Sequence, residues 1–391
     1  MLRHQKVYVI GGGFAGVESA IQLSKRGFNV TLISNRDFFY IYPLAIWIPT
    51  GEKTVEDISL SIPELARRHK FTFRKGNVEA VSGAKKEIVI DGETLHYDYL
   101  VVAIGAPKMQ TPGIAQNSYS ICGEPDEATR LAGEVQKIIT KGEGTIAVGF
   151  GGNPKDPSAV RGGPAFEILF NLEHLLQKKK LRDKIKLVFF APMAEPGKRM
   201  GEKSMKALIK YFADLGIQEY FGRKIKSFEP DGIVLEDDFK IKSDLTIFVP
   251  AGRGNELLMK SDLAQSEAGF VKINGYAQVD NFNHVYAAGD AVDFLGPEWK
   301  AKQGHLAEVM AKIIANNMYV QVTGRGKMHG YEDHVNILCV MDTGREASFI
   351  FRDDNKAHFM RMPFIGHQMK QLWGHYFRAS KMKRFPRIPG M

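Results

Sequence analysis

The sequence predicts an α/β protein of two Rossmann-like dinucleotide-binding domains, parallel sheets with flanking helices, followed by a C-terminal amphipathic membrane-interface region. Three observations predict it. A strand, a glycine turn, a helix and a second strand follow one another between Val7 and Ile33. A second series of short apolar strands opens at Thr145. Beyond it, another strand meets Gly289-Asp290 ahead of a long helical stretch.

Bulk properties agree. A chain of 391 residues with 44% hydrophobic and 25% charged residues is an ordinary folded protein, with room for more than one core. Its two cysteines, Cys122 and Cys339, exclude a disulfide framework and a four-cysteine metal or iron–sulfur site, so a reducing compartment and no metal are expected. No signal peptide precedes the first strand, and no apolar run reaches the roughly twenty residues that span a bilayer. A cytoplasmic protein, or one bound to the cytoplasmic face of the membrane, is therefore expected. The net charge of +9 is unevenly distributed: Asn355 to Met391 carries eight Lys or Arg and no Asp or Glu. Such a tail seeks an anionic surface.

In chain order, Val7–Ile10 reads as a buried strand ending in Gly11-Gly12-Gly13-Phe14-Ala15-Gly16. The helix after it carries Val17, Ala20, Ile21 and Leu23 on one face and ends at Lys25-Arg26-Gly27, with cations in the last turn and Gly past it. Val30–Ile33 is the next strand, completing a βαβ unit of about thirty residues. Leu100–Ile104, Thr145–Gly149, Ile185–Phe190, Leu245–Val249 and Val285–Ala288 read as further strands, and a helix is expected from Lys302 to Val322. The organisation is then residues 1–110 as the first part of a cofactor domain, 111–270 as an inserted second domain, 271–325 as the return to the first, and 326–391 as a C-terminal region for membrane and acceptor.

Gly11, Gly13 and Gly16 satisfy G-x-G-x-x-G between a strand and a helix. The first glycine permits the tight turn, the second lets a pyrophosphate approach the backbone, and the third lets helix and strand pack closely; the helix N-terminus then faces the phosphates. The second strand ends in Ser34-Asn35 where a carboxylate usually bonds the adenosine ribose, so a neutral hydrogen bond takes its place. Tyr286-Ala287-Ala288-Gly289-Asp290 puts a carboxylate at the top of a helix, suited to a ribityl hydroxyl, and the strand ending Ala103-Ile104-Gly105 passes close by. In this order the three motifs point to FAD.

On these motifs the chain resembles the flavin disulfide-reductase superfamily, and within it the sulfide:quinone oxidoreductases, with flavocytochrome c sulfide dehydrogenase and type II NADH dehydrogenase as relatives. Thr31-Leu32-Ile33-Ser34 with Phe38-Phe39 and Pro43, His96-Tyr97-Asp98-Tyr99-Leu100, Ser120-Ile121-Cys122, Gly163-Pro164-Ala165-Phe166-Glu167, Ala301-Lys302-Gln303-Gly304 and Cys339-Val340-Met341-Asp342-Thr343-Gly344 carry the resemblance, which covers nearly the whole chain. A type II NADH dehydrogenase has a second glycine triplet after its Thr145-like strand. Here Gly149-Phe150-Gly151-Gly152-Asn153-Pro154-Lys155-Asp156-Pro157 spoils a compact phosphate turn.

The resemblance implies oxidation of sulfide or a related reduced sulfur species, with two electrons passed through FAD to quinone. It implies that Cys339 is one of two cysteines flanking the flavin, and that Cys122 lies near an entrance. The other flanking cysteine is missing: Val160-Arg161 stands there. Three readings stay open: Cys339 alone carries a persulfide and an external thiol or sulfide takes the sulfur; Cys122 completes the pair; or sulfide is not the donor. The resemblance also gives Lys302 a reach toward the flavin or the quinone, where a cation stabilises the anionic reduced flavin, and Glu167 a proton-relay role. Arg161 is a candidate for binding an anionic substrate or thiolate.

From Ile365 to Lys381, Ile365, Met369, Leu372, Trp373, Tyr376 and Phe377 recur at helical spacing, with Gln368, Lys370, Gln371, His375, Arg378 and Lys381 on the rest of the helix. A basic amphipathic helix with Trp and Tyr suits a membrane interface better than nucleic acid. Phe351 and Phe364 are candidate quinone-stacking residues. The expected protein is a peripheral membrane flavoenzyme, a homo-oligomer, with sulfide, quinone and the membrane surface as partners. NADH:quinone oxidoreduction, a sulfide dehydrogenase with a cytochrome partner, and a flavin-bearing protein without catalysis are the alternatives.

Overall fold

The computed structural model describes residues 2–386, so the end of the basic tail lies outside the described residues. One six-stranded sheet runs in the order Gln278–Val279, Phe282–Ala287, Tyr99–Val102, Lys6–Ile10, Asn29–Ser34, Thr72–Lys75, parallel except for the first pair. Its register decides where a site can form. Ile10 pairs with both Ile33 and Val102, and Val102 also pairs with Ala287. These strands therefore run out together at one edge. Gly11, Asn35, Ala103 and Gly289 follow there, at the carboxyl ends of parallel strands where ligands bind in such sheets.

The expected strand Leu100–Ile104 stops at Val102. Ala103 leaves the ladder to pack on the glycine turn. A Cβ on Gly11, whose φ is +110°, would lie 2.2 Å from the Ala103 carbonyl oxygen, and one on Gly16 would lie 1.8 Å from that of Gly11. These two glycines are demanded by close approach.

A second, fully parallel sheet orders Gln218–Phe221, Ile185–Ala191, Gly144–Phe150 and Leu245–Val249. Phe150, Phe166, Phe170, Phe189 and Phe212 fill the space between it and its helices. Beyond the parallel sheets, residues 337–362 form a three-stranded antiparallel sheet, Ile337–Asp342, Ala347–Arg352 and Ala357–Met362, that the sequence reading did not anticipate. The C-terminal helix Gly366–Lys381 follows it.

That helix corrects the expected amphipathic pattern. Phe364, Ile365, Met369 and Leu372 are exposed, whereas Lys370, Phe377 and Lys381 are buried. Two lysines assigned to a solvated face thus point inward, because carboxylates await them. The Lys381 ammonium sits 2.5 Å from both Glu18 and Glu308, its side chain fully buried. It ties the C-terminal helix to the first helix, Phe14–Lys25, and to the long helix Gly304–Thr323. Lys381→Met leaves two buried carboxylates around an apolar chain, and we expect it to cost about 3–5 kcal/mol. A thermal or urea unfolding midpoint unchanged from wild type would contradict that ion-pair staple.

Among the described residues, no helix is long and apolar enough to cross a membrane.

Candidate active site

A cavity of about 1790 Å³ opens where the first sheet, the second domain and the C-terminal sheet meet. Gly11, Gly12, Gly13, Phe14, Ser34, Asn35, Ala103, Gly105, Gly289 and Asp290 line it, so the motif residues chosen for cofactor binding converge there, apart from Gly16, which packs behind the turn. The first helix has no side-chain cap, leaving its N-terminal amides to the cavity. A Cβ added at Gly13 would meet nothing within 4 Å, although Gly11 and Gly16 have no room for one. A glycine at a spot where the protein itself leaves space is what a bound pyrophosphate requires. Ser34 is buried and its Oγ accepts the Arg36 N–H at 3.2 Å, which fixes the turn at the end of the strand. The cavity is larger than the few hundred to about 1,000 Å³ of typical small-ligand sites, as a dinucleotide needs.

Asp290 donates no side chain to the fold's interior; its Oδ2 accepts from the Arg161 guanidinium at 2.6 Å. Arg161, standing where a flanking cysteine was expected, is therefore bound to the Asp290 carboxylate, and Oδ2 is the oxygen it occupies. Cys122 is buried next to it. Burial pushes the Cys122 thiol up, and the Arg161 and Lys108 cations oppose that.

Cys339 lies elsewhere on the same wall, half-buried in the antiparallel sheet, paired across to Ile350. Burial, with the negative charge of Glu167, drives its thiol to about 12, so at neutral pH it is protonated. The charged groups around Cys122 are Arg161, Lys108, Glu127 and Asp290; those around Cys339 are Glu167 and Lys370. The two thiols share one cavity but not one microenvironment.

Glu167 is buried within the helix Gly162–Lys178, not exposed at its first turn. Its carboxylate accepts the Asp342 N–H at 2.7 Å and a hydrogen bond from the Lys370 ammonium, which also donates to the Val340 carbonyl at 3.0 Å. Burial raises its affinity for a proton, opposed first by the Lys370 charge. Lys370 was not among the chosen site residues. Its spacing from Phe377 on one helical face was the only signal, and lysine chemistry argued against burial.

Two expectations are corrected. Lys302 precedes the long helix, which starts at Gly304, and its side chain is 1% exposed. Lys302 lines the cavity; its backbone N–H donates to Ser158, and its ammonium is held by the Val292 carbonyl, by Asp156 at 3.6 Å and over the Phe270 ring. Burial lowers it to about 8. Phe351 and Phe364 do not line the cavity. Phe351 packs against His358, and Phe364 is exposed at the corner before the C-terminal helix. Phe349, Met362, Met369, Trp373 and Phe377 form the apolar wall instead. Met369 and Trp373 also line a second groove of about 1010 Å³ on the outer face of the C-terminal helix, with Leu372, Tyr376 and Phe385.

In the second domain, the segment from Gly151 to Arg161 separates strand from helix where the first domain uses only Gly11, Gly12 and Gly13. Asn153 braces it by donating to the Gly252 carbonyl and accepting from the Lys155 and Asp156 amides. It turns toward the first domain, through Ser158 to Lys302 and through Arg161 to Asp290.

With this geometry in hand, comparison with known proteins is informative. The family model described as pyridine nucleotide-disulphide oxidoreductase matches residues 5–312. The sulfide-quinone reductase of Aquifex aeolicus is 26% identical, over 98% of this chain and 90% of its own length. A type II NADH:quinone oxidoreductase of Staphylococcus saprophyticus is 21% identical, over 74% of this chain and 75% of its own. The crystal structure of the Aquifex aeolicus sulfide:quinone oxidoreductase superposes with a TM-score of 0.88 at 23% identity, covering 97% of this chain and 92% of that one, a likeness of fold.

Proposed function

Because the chain belongs to the pyridine nucleotide-disulphide oxidoreductase family, we propose that it is an FAD-dependent enzyme that oxidises sulfide, or a related reduced sulfur species, and reduces quinone at a membrane surface. One observation carries the reading: a cavity thiol, Cys339, beside a buried Glu167–Lys370 pair, in a cavity whose apolar wall is shared with an exposed helical face. The names of the relatives support it.

When bound, FAD accepts two electrons from the donor and gives them to the acceptor. The chain's own residues do the rest. Gly13 and the first helix N-terminus receive the phosphates, Ser34 and Asn35 the ribose, and the free oxygen of Asp290 a ribityl hydroxyl. Cys339 supplies the sulfur that bonds to the donor sulfur. The two electrons released on forming that S–S bond go to the bound FAD, and the two S–H protons leave to base. A second sulfide or an external thiol takes the outer sulfur and restores the thiol of Cys339. Its thiol must first lose a proton, and Glu167 is the adjacent base. The Lys370 ammonium, which lines the same cavity, is the cation that would donate to an acceptor oxygen bound there. The long Gly151–Arg161 segment, in place of a compact glycine turn, supports a donor other than NADH.

Anaerobic mixing of the purified, detergent-solubilised protein tests the donor. Sulfide is expected to bleach the bound flavin, and NADH is not; bleaching by NADH alone would reject the proposal in favour of NADH:quinone oxidoreduction.

Phe364, Ile365, Met369 and Leu372 are exposed apolar residues, and Met369 and Leu372 share a groove with the basic Arg378 and Arg384. Such a face seats at a lipid headgroup boundary. Leu372→Glu is expected to weaken sedimentation with anionic lipid vesicles and leave flavin content unchanged. Undiminished vesicle binding by a Met369→Glu, Leu372→Glu double variant would put the membrane contact elsewhere.

A further inference from the structure

Position 161 carries a cation where the resembled enzymes carry a flanking cysteine, and the fold holds that cation firmly. The segment that delivers it, from Gly151 to Arg161, is braced along its length. Asn153 donates to the Gly252 carbonyl at 2.9 Å, and the Gly252 N–H donates to the Ala159 carbonyl at 3.0 Å. Asp156 accepts from the Ser158 amide at 2.9 Å and from its hydroxyl at 2.6 Å, and the Ser158 carbonyl accepts the Lys302 N–H at 3.1 Å. A guanidinium has five N–H donors. One is engaged here, from Nη2 to Asp290 Oδ2 at 2.6 Å, and among the described residues the side chain makes no other hydrogen bond. The other four belong to a side chain that lines the cavity.

The charges nearby are matched in pairs. Lys108 has Glu127 at 2.6 Å, Lys302 has Asp156 at 3.6 Å, and Arg36 has Glu124 at 3.7 Å. Among the described residues, Arg161 is the cation within ion-pair distance of Asp290. Burial opposes the Arg161 charge, and Asp290, with Cys122 and Tyr42, more than offsets that, so the guanidinium stays charged. The helix Gly162–Lys178 begins at the next residue without a side-chain cap, and Gly162 and Gly163 line the same cavity. Its positive end adds to the Arg161 charge there.

We propose that Arg161 sets the reduction potential of the bound flavin: it neutralises Asp290 while leaving one carboxylate oxygen free, and so favours the reduced cofactor. The proposal rests on the FAD-binding reading, with Asp290 as the ribityl contact. Reduction adds two electrons from the donor and one proton, a net gain of one negative charge on the flavin. An unmatched Asp290 opposes that gain, and a fixed cation paired with it removes the opposition. A neutral thiol at position 161 would leave Asp290 unmatched. The chain has thus given up a sulfur at this place and gained a charge that makes the flavin a stronger electron acceptor. Arg161 acts through Asp290 and is a positioning residue.

The test needs neither sulfide nor quinone. The FAD-loaded protein and its variants are reduced by light without oxygen, in equilibrium with a dye of known potential, and the midpoint is read from the visible spectrum. Arg161→Gln is expected to shift the balance toward oxidised flavin by about 100-fold, which lowers the two-electron midpoint by about 60 mV. Arg161→Lys keeps the charge and stays close to wild type. Arg161→His switches the charge within one folded protein. Its midpoint approaches that of Arg161→Lys below the ordinary histidine range and that of Arg161→Gln above it. Circular dichroism and flavin content stay at wild-type values in all three. An Arg161→Gln midpoint equal to wild type would overturn the proposal. So would an Arg161→His midpoint running parallel to wild type at every pH. A folded Arg161→Gln protein that has lost its oxidised flavin would also overturn it, because Arg161 would then hold the cofactor instead of setting its potential. Each of these leaves the FAD reading standing, whereas wild-type protein that takes up no FAD would end both.

Discussion

Cys339→Ala is expected to lose reduction of its flavin by sulfide, on the order of 10³-fold or more, while its photoreduced flavin is still reoxidised by quinone at the wild-type rate. The split follows from position. Cys339 is the thiol beside Glu167, and its proton, held to about 12 by burial and that neighbouring charge, must leave before the sulfur can form a bond. Alanine removes the sulfur and nothing that the acceptor touches. Cys122→Ala serves as the contrast. Its thiol sits among Arg161, Lys108 and Glu127, away from the Glu167–Lys370 pair, so sulfide reduction should stay near wild type. Stopped-flow absorbance under anaerobic conditions measures both. Unchanged sulfide reduction in Cys339→Ala would take this thiol out of the chemistry; a collapse in Cys122→Ala would mean that the two cysteines act together despite their separate surroundings.

The second large effect is at Gly13. Its backbone is extended, at φ −90° and ψ −164°, a conformation open to any residue, and a Cβ there meets no protein atom within 4 Å. Gly13→Val should therefore fold normally and purify without flavin, because its methyl groups occupy the pyrophosphate position. Gly11→Ala differs in kind. Its Cβ would stand 2.2 Å from the Ala103 carbonyl oxygen, at a φ of +110°, so this variant should lose stability as well as cofactor. Circular dichroism and flavin absorbance separate the two. A yellow Gly13→Val protein would mean that the phosphates lie elsewhere.

The first sheet was legible because its information is local. A strand, three glycines and a helix with Gly27 past its end fall within a short stretch, and the register Ile10–Ile33–Val102–Ala287 follows once those strands are buried and parallel. Gly289-Asp290 was legible as the end of a buried strand, but the helix expected directly behind it is a short 3-10 turn, Gly289–Ala291, and the long helix begins only at Gly304. Lys370 and Lys381 were not, since what buries them is distant: Glu167 lies 203 residues from Lys370, and Glu18 lies 363 from Lys381. Without those carboxylates, lysine belongs in water. The antiparallel sheet of residues 337–362 escaped notice because one of its faces meets the cavity, which blurs the two-residue alternation of a half-buried strand. Choosing Phe351 and Phe364 as acceptor contacts failed on direction. Phe349 is the aromatic of that strand that reaches the wall, and Phe364 sits at a left-handed corner with φ +68°, facing outward.

The most direct test of the whole account is the flavin content of the purified wild-type protein. The account predicts a yellow protein, or one that turns yellow on addition of FAD, releasing one FAD per chain when denatured. A colourless protein that takes up no FAD would contradict it, and the roles assigned to Cys339, Glu167 and Lys370 would fall with it.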